Sequence, residues 1–355
     1  MTRYSKYITP PQQGADLGPN EYTYVEGYGF TPQPPIVTER RLLQWYSNGI
    51  GFAILLYLIL IRVVPFLVIS GLAVFQPAIR IYGNQVFASE LVFYLTNLIS
   101  NTVCMLLPFL MFVLLCRIPM RIAFPLRRTD SSLAAFGVAI ALGVSVIGGF
   151  ASSLIQMLLG ALGLQAQLSS GLSMPTHFSS FLVYMLYVVL LSPLVEEVIF
   201  RGIILNSMRR FGDSFALLVS ALLFALFHGN LIQAPNAFLM GLVIGYFVLC
   251  TGSLWTGIVI HMINNSLILL WEALSLTIPD QWYILFQLVI IALYLMAGIV
   301  AFLTLVRVRP NMFMFIRSST YSTEQIKYRT FFSSVTLVVA LTLLGLGILQ
   351  NLTGR

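Results

Sequence analysis

Two adjacent carboxylates, Glu196 and Glu197, lie in the segment SPLVEEVIFRG, after an apolar run that begins at Phe181. A charged side chain at the centre of a bilayer costs about 2.5–3.5 kcal/mol even on lenient insertion scales. Arg201 follows Glu197 by four residues, so on a helix the two side chains share a face and can neutralise each other. These residues predict a polar site inside a membrane protein.

Two histidines and an asparagine add polar groups on later apolar segments. His228 ends FALFH, four residues after Phe224, and His261 is followed four residues later by Asn265. Residues four apart share a helix face, so His261 and Asn265 can face one ligand together. A carboxylate and an imidazole can hold a water molecule and remove its proton. A second imidazole and a carboxamide can donate hydrogen bonds to an oxyanion.

The same residue types also suit a zinc site, with Glu196, His228 and His261 as ligands and a fourth position for water. Either arrangement hydrolyses an amide bond. We favour a reaction without a metal, because Asn265 is more naturally a hydrogen-bond donor than a zinc ligand. The sequence contains no HExxH segment, and no serine or cysteine lies in a recognisable nucleophile motif. Zincin and serine-protease chemistry therefore have no support.

Membrane helices must position these residues. Hydrophobic residues make up 58% of the 355 residues and charged residues only 9%, with a mean hydropathy of +0.91. Apolar runs of about 18 or more residues recur, each long enough to cross a bilayer core. The sequence predicts an all-α, polytopic transmembrane bundle of about 8–9 spans. The candidate spans are 49–75, 89–116, 133–162, 180–200, 214–229, 236–251, 254–271, 283–306 and 331–350.

The spans divide the chain into four parts. The polar segment 1–48 is predicted to be a disordered cytoplasmic tail. Residues 49–162 form three N-terminal transmembrane helices, and 180–271 form the core that carries the polar residues. Residues 283–355 contain two further helices joined by a basic cytoplasmic loop.

The basic residues predict the orientation. Most arginines and lysines fall in the N-terminal tail, in the loops 117–132 and 307–330, and at Arg209 and Arg210. Cytoplasmic loops carry such an excess, so we expect the N-terminus to be cytoplasmic and, with nine spans, the C-terminus outside. The net charge of +7 then reports topology and contact with anionic lipid, and no nucleic-acid partner is expected.

Two basic side chains stand apart from the polar residues of the core. Arg62 lies within the first span, in LILIRVVPF. We expect it to bond backbone carbonyls that a helix break at Pro65 leaves free. His177 lies in the loop before the fourth span, without comparable partners, and is predicted to be an ordinary loop residue.

The polar residues of the core resemble the three ordered motifs of the CPBP family of intramembrane proteases. That family comprises the CAAX prenyl endoproteases, the bacterial Abi proteins and relatives of bacteriocin self-immunity proteins. The resemblance covers roughly residues 180–270. It rests on Glu196-Glu197-x-x-x-Arg201, Phe224-x-x-x-His228 and His261-x-x-x-Asn265.

The resemblance implies an intramembrane endopeptidase that hydrolyses a peptide bond of a membrane-associated or peptide substrate. It implies a multi-pass protein, which we expect in a bacterial plasma membrane, with a peptide or protein substrate and the bilayer as partners. The residue roles implied are water activation by Glu196 and His228, oxyanion stabilisation by His261 and Asn265, and support by Glu197 and Arg201. Whether the substrate is prenylated, and the oligomeric state, stay open.

Two functions of other classes remain as alternatives. A non-catalytic membrane scaffold or bacteriocin-immunity factor would keep the polar residues for stability and act through binding alone. A proton-coupled transporter would also use intramembrane glutamate, histidine and arginine. It ranks last, because the inverted repeats of such folds are not evident in the sequence.

Overall fold

The computed structural model describes residues 22–25, 29–32, 35–76, 78–82, 85–166, 174–312 and 320–354. The bundle is formed by helices numbered here in chain order. They are α1 (Pro35–Phe75), α2 (Glu90–Leu115), α3 (Met120–Ala123), α4 (Ser131–Ala161), α5 (Phe178–Phe211), α6 (Asp213–Phe227), α7 (Ala234–Thr251), α8 (Leu254–Ser275), α9 (Asp280–Val308), α10 (Glu324–Phe332) and α11 (Val335–Gln350). The predicted all-α membrane bundle is confirmed.

Within the described connecting segments, short strands form three antiparallel pairs. They are β1 (Tyr22–Val25) with β2 (Gly29–Pro32), β3 (Arg80–Tyr82) with β4 (Gln85–Phe87), and β5 (Leu164–Ala166) with β6 (Leu352–Gly354).

The expected tail 1–48 is wrong in its second half. Residues 1–21 lie outside the described residues, but α1 begins at Pro35, well before the expected boundary at 49. A proline suits the first position of a helix, where its missing N–H has no partner to lose. Leu43, Tyr46 and Ile50 then recur at helical spacing and are buried. The charges of Arg40 and Arg41 obscured this pattern in the sequence.

Fewer helices are long enough to cross a membrane than the nine spans that the sequence predicts. Among the described residues, seven helices are long and apolar enough to cross a membrane, and an eighth span results if α10 and α11 count as one. These two helices meet at an angle of 72°. The candidate span 214–229 corresponds to α6, which has only 15 residues.

Contacts between connecting segments nevertheless divide the bundle into two ends. At the end rich in arginine, here called the basic end, the N–H of Leu254 donates to the carbonyl of Pro125, and Arg309 pairs with Asp130. At the opposite end, β5 pairs with β6, and Asn351 donates to the carbonyl of Gly229. Since Gly229 follows α6, this short helix also runs from one end to the other.

Helix α5 lies inside the bundle, in contact with α2, α3, α6 and α8. Its buried face carries large apolar side chains such as Phe200 and Leu205. Gly212, with φ of 121°, makes the sharp turn from α5 into α6, a backbone conformation that favours glycine. This turn brings α6 back alongside α5, so that the ends of two motifs pack together.

Candidate active site

Helix α5 is irregular around the two glutamates. Two π-helical segments, Leu186–Leu191 and Val198–Leu205, flank the short α-helical stretch Ser192–Glu197. A π turn contains more residues than an α turn, and such turns occur often at functional sites. Glu196 and Glu197 thus lie where α5 changes its pitch.

Glu197 is fully buried, and one of its carboxylate oxygens contacts both an arginine and a histidine. Its Oε1 accepts a hydrogen bond from Arg201 Nη1 at 2.7 Å and lies 2.8 Å from His261 Nδ1. The side chains of Glu197 and Arg201 are both 0% exposed. The predicted pair therefore forms, and it links α5 to α8 through His261.

The space around this pair is tight. Arg201 Cζ lies 4.2 Å from the centre of the Phe224 ring, a cation–π contact that stabilises a buried guanidinium. On α8, a Cβ added at Gly257 would lie 2.8 Å from Glu197 Oε2. Gly257 therefore leaves the room that the second carboxylate oxygen occupies.

Glu196 has a more open position. Its Oε1 accepts a hydrogen bond of 2.5 Å from Ser192 Oγ, and its Oε2 lies 3.8 Å from His261 Nε2. The side chain is 17% exposed, against 0% for Glu197. His261 is thus placed between two carboxylates, with one ring nitrogen toward each.

Hydrogen bonds assign the ring protons of both histidines. An ionised Glu197 only accepts, so His261 carries a proton on Nδ1. His228 Nδ1 lies 2.9 Å from the carbonyl oxygen of Phe224, which also only accepts, so the same nitrogen is protonated there. In neutral rings, Nε2 is then the acceptor. The Phe224 ring packs edge-on against both imidazoles, with centroids 4.8 Å from His228 and 5.8 Å from His261.

Asn265 is near the site but is occupied by the backbone of α5. Its Nδ2 donates to the carbonyl of Val188 at 3.0 Å, in the first π-helical segment. Its Oδ1 accepts from Asn264 at 3.4 Å. The structure thus brings Glu196, Glu197, Arg201 and His261 into direct contact, whereas Asn265 braces α5 against α8.

Sequence reasoning missed Ser192 and Glu272. Ser192 precedes Glu196 by four residues, a spacing that could have identified it as a partner. Glu272, expected beyond the end of its span, lies within α8 and accepts from Tyr184 at 3.3 Å. His177 is not without partners, because its Nδ1 lies 3.1 Å from Glu90 Oε2, but this contact is at the opposite end of the bundle.

The three ligands of the zinc alternative are not gathered around one point in the part of the chain that the structure describes. Both imidazoles have Nδ1 engaged by an oxygen, as zinc-bound histidines also do. A metal needs three such donors around one point, however, and within the described ranges no three His, Cys, Asp or Glu side chains form such a group. We therefore derive no step through a metal.

Comparison with known proteins identifies the segment that holds the site. Residues 178–267, less than half of the chain, match the sequence model of the family described as type II CAAX prenyl endopeptidase Rce1-like. No curated protein and no solved structure matches the chain. The matched segment contains all six predicted site residues. Over residues 178–267 the chain is similar to this family of CAAX prenyl endopeptidases, and this match confirms the resemblance to CPBP intramembrane proteases for that segment.

Proposed function

We propose that the protein is an intramembrane endopeptidase in which Glu196 is the general base. The position of His261 between Glu196 and Glu197 carries this proposal. In this arrangement Glu197 is a buried support for His261, whereas Glu196 lies partly exposed beside the same imidazole. The family match supports a protease in general terms.

The residues support a direct attack by water. Glu196 Oε2 takes one proton from the water, while His228 Nε2 accepts its second hydrogen. The water oxygen then bonds to the carbonyl carbon of the substrate. The resulting tetrahedral intermediate collapses when the C–N bond breaks, and Glu196 returns the proton to the leaving amine.

His261 suits the oxyanion when it is protonated on both nitrogens. Glu196, Glu197 and Arg201 together carry one net negative charge, which a protonated His261 cancels. Buried charges are tolerated when they are paired in this way. Its Nε2–H then donates to the oxyanion, whereas Nδ1–H stays on Glu197. Asn265 is the second donor, once its amide turns from Val188 to the substrate.

The experiment uses the full chain in liposomes with two internally quenched peptides that end in a Cys-aliphatic-aliphatic-X sequence. One peptide carries a farnesyl group on its cysteine and the other does not. We expect wild-type protein to cleave at least one peptide, and Glu196→Gln to lose this activity. Cleavage that survives both Glu196→Gln and His228→Ala would overturn the assignment.

The same assay tests the metal question. We expect cleavage to persist after exhaustive chelation, with no stoichiometric zinc by elemental analysis. Zinc whose removal abolishes cleavage and whose return restores it would make Glu196 a ligand instead of the base. A host phenotype that persists in Glu196→Gln protein at normal membrane levels would favour a scaffold or immunity factor.

A further inference from the structure

Arg62 is a charged side chain on the outside of a membrane-spanning helix. The expected bond to carbonyls near Pro65 is not present, because α1 continues as a helix through Pro65 to Phe75. Among the residues that the structure describes, Arg62 has no hydrogen-bond, ion-pair or ring partner. Its side chain is exposed.

Arg62 lies far from both ends of the bundle. Ser47 Oγ donates to the carbonyl of Phe331, which marks the level where α1 meets the basic end. At about 1.5 Å per residue, Arg62 lies roughly 22 Å along α1 from Ser47 and roughly 20 Å from Phe75. An arginine that reaches the lipid headgroups from a helix end is a common arrangement, but Arg62 is close to mid-depth.

The surface around Arg62 is apolar. Ile59, Val63, Phe66 and Leu67 are exposed large side chains on the neighbouring turns of α1. A soluble protein would hide such a surface, whereas here it faces hydrocarbon. An unpaired guanidinium in this surface is costly, and intramembrane arginines almost always pair with a carboxylate or with backbone carbonyls.

Near mid-depth of the spans that the structure describes, this chain offers no matching carboxylate on its lipid-facing surface. In the described spans, Glu196 and Glu197 bind Ser192, Arg201 and His261 inside the bundle. Glu272 is half-buried and bonded to Tyr184. A second copy would therefore bring apolar side chains and another Arg62, and not a partner charge.

We propose that the face of α1 around Arg62 binds a transmembrane helix of another protein, and that this helix carries an aspartate or glutamate at mid-depth. The carboxylate neutralises Arg62, and the apolar residues on both sides pack against the partner helix. This surface lies outside the matched segment 178–267, and the proposal does not depend on protease activity.

The test measures binding of a defined probe by energy transfer. The probe is a synthetic leucine- and alanine-rich transmembrane peptide with one central aspartate, incorporated with the purified full chain in phosphatidylcholine vesicles. We expect Arg62→Leu to weaken binding about tenfold, the size of polar contacts between model membrane helices. Arg62→Lys should retain most of the affinity. Arg307→Leu, which removes an equal charge at the basic end, should not change it.

Peptide variants separate a charge pair from general helix packing. Peptides with a central asparagine, or with the aspartate moved to one end, should bind wild-type protein and Arg62→Leu equally. Equal binding of the central-aspartate peptide to both proteins would overturn the proposal. The proposal would also be overturned if Arg62→Leu changed only the enrichment of phosphatidylglycerol around the protein, because Arg62 would then bind a lipid headgroup. A change only in self-association of the protein would likewise overturn it, because the partner would then be a second copy. Should Arg62→Leu fail to fold, Arg62→Gln takes its place.

Discussion

Glu196 and Glu197 are neighbours in the chain, but their carboxylates have different surroundings. Glu197 is fully buried and shares one oxygen between Arg201 and His261. Glu196 is partly exposed, bonded to Ser192 and separated from His261 Nε2 by 3.8 Å. A helix turns by about 100° between successive residues, so one side chain enters the packed interior while the next faces the site.

The difference separates two tasks. A buried carboxylate with a paired arginine contributes geometry, because removing either partner leaves an uncompensated charge. A carboxylate that bonds one hydroxyl and faces a histidine at a longer distance can take up a proton and release it. The comparison therefore predicts that changes on the Glu196 side reduce activity, whereas changes on the Glu197 side reduce stability.

The largest effect is expected for Glu196→Gln. We predict a fall in peptide cleavage of about 10²–10⁴-fold, the range for a lost general base. The temperature of unfolding should change little, because glutamine still accepts the hydrogen bond from Ser192. Cleavage rates and thermal unfolding in the same detergent test both parts. Activity within tenfold of wild type, or a large loss of stability, would break the comparison.

On the Glu197 side, Arg201→Met should destabilise the fold by about 3–5 kcal/mol, because it leaves a buried carboxylate without its cation. Equilibrium unfolding in mixed detergent micelles measures this change. The double variant Glu197→Gln with Arg201→Met should recover much of the stability, since neither member of the buried ion pair is then left without its partner. A single variant that unfolds like wild type would show that this pair contributes no structural support.

Gly257→Ala tests how tightly Glu197 is enclosed. The new Cβ would lie 2.8 Å from Glu197 Oε2 and 2.8 Å from Val248 Cγ2. We expect a loss of about 1–3 kcal/mol in unfolding free energy, which is usual for overpacking. Gly149→Ala in α4 is the matched control, because its Cβ would meet nothing within 4 Å. Equal stability of the two variants would mean that the residues around Glu197 can shift to accommodate the new methyl group without a loss of unfolding free energy.

Ser192→Ala tests the hydrogen bond that Ser192 donates to Glu196. We predict a loss of about tenfold in kcat/KM, because hydrogen bonds to charged groups contribute about 1.5–3 kcal/mol. The control is Ser266→Ala, whose hydroxyl donates to the carbonyl of Met262 in its own helix. Ser192→Thr should retain part of the activity through its hydroxyl. An equal effect of both alanine variants would contradict a role in orienting Glu196.

Asp130 is a third carboxylate for comparison, and its surroundings differ from those of both Glu196 and Glu197. It lies at the start of α4, outside the membrane. Hydrogen bonds from Ser132 and Leu133, together with Arg309, hold its pKa below the ordinary value of 3.8. Because the folded state favours the ionised form, its contribution is present above pH 3.8 and is lost as the pH falls through the lower folded pKa.

We therefore expect Asp130→Ala to cost about 1 kcal/mol at neutral pH, as for other N-cap residues. The difference from wild type should shrink as the pH falls below 3.8. Unfolding measured from neutral to acid pH tests this expectation. A difference that stays constant over that range would assign the effect to helix propensity and not to the charge.

Local spacing predicted the parts of the site that lie within one helix. Four-residue spacing predicted the Glu197–Arg201 pair, and hydropathy predicted the helical bundle. The position of His261 between two carboxylates was not predicted, because it depends on how α5 and α8 rotate against each other. The residues of Leu186–Leu191 also carry no pattern that predicts a π-helical segment.

The roles of His228 and Asn265 remain predictions. Their positions follow from packing that the sequence does not show. Phe224 places His228 through its carbonyl and its ring, whereas Asn265 donates to the backbone of Val188. Only the contacts of the folded helices distinguish a residue that faces substrate from one that braces a neighbour.

The shortness of α6 has a consequence for the surrounding lipid. Its 15 residues extend roughly 22 Å, whereas the hydrocarbon core of a bilayer is about 30 Å thick. Leu218 and Leu222 are exposed on its outer side, so acyl chains border this helix directly. Such a hydrophobic mismatch is relieved when the bilayer thins locally. A thinned bilayer beside α6 would bring headgroups and water down toward His228, at the end of that helix.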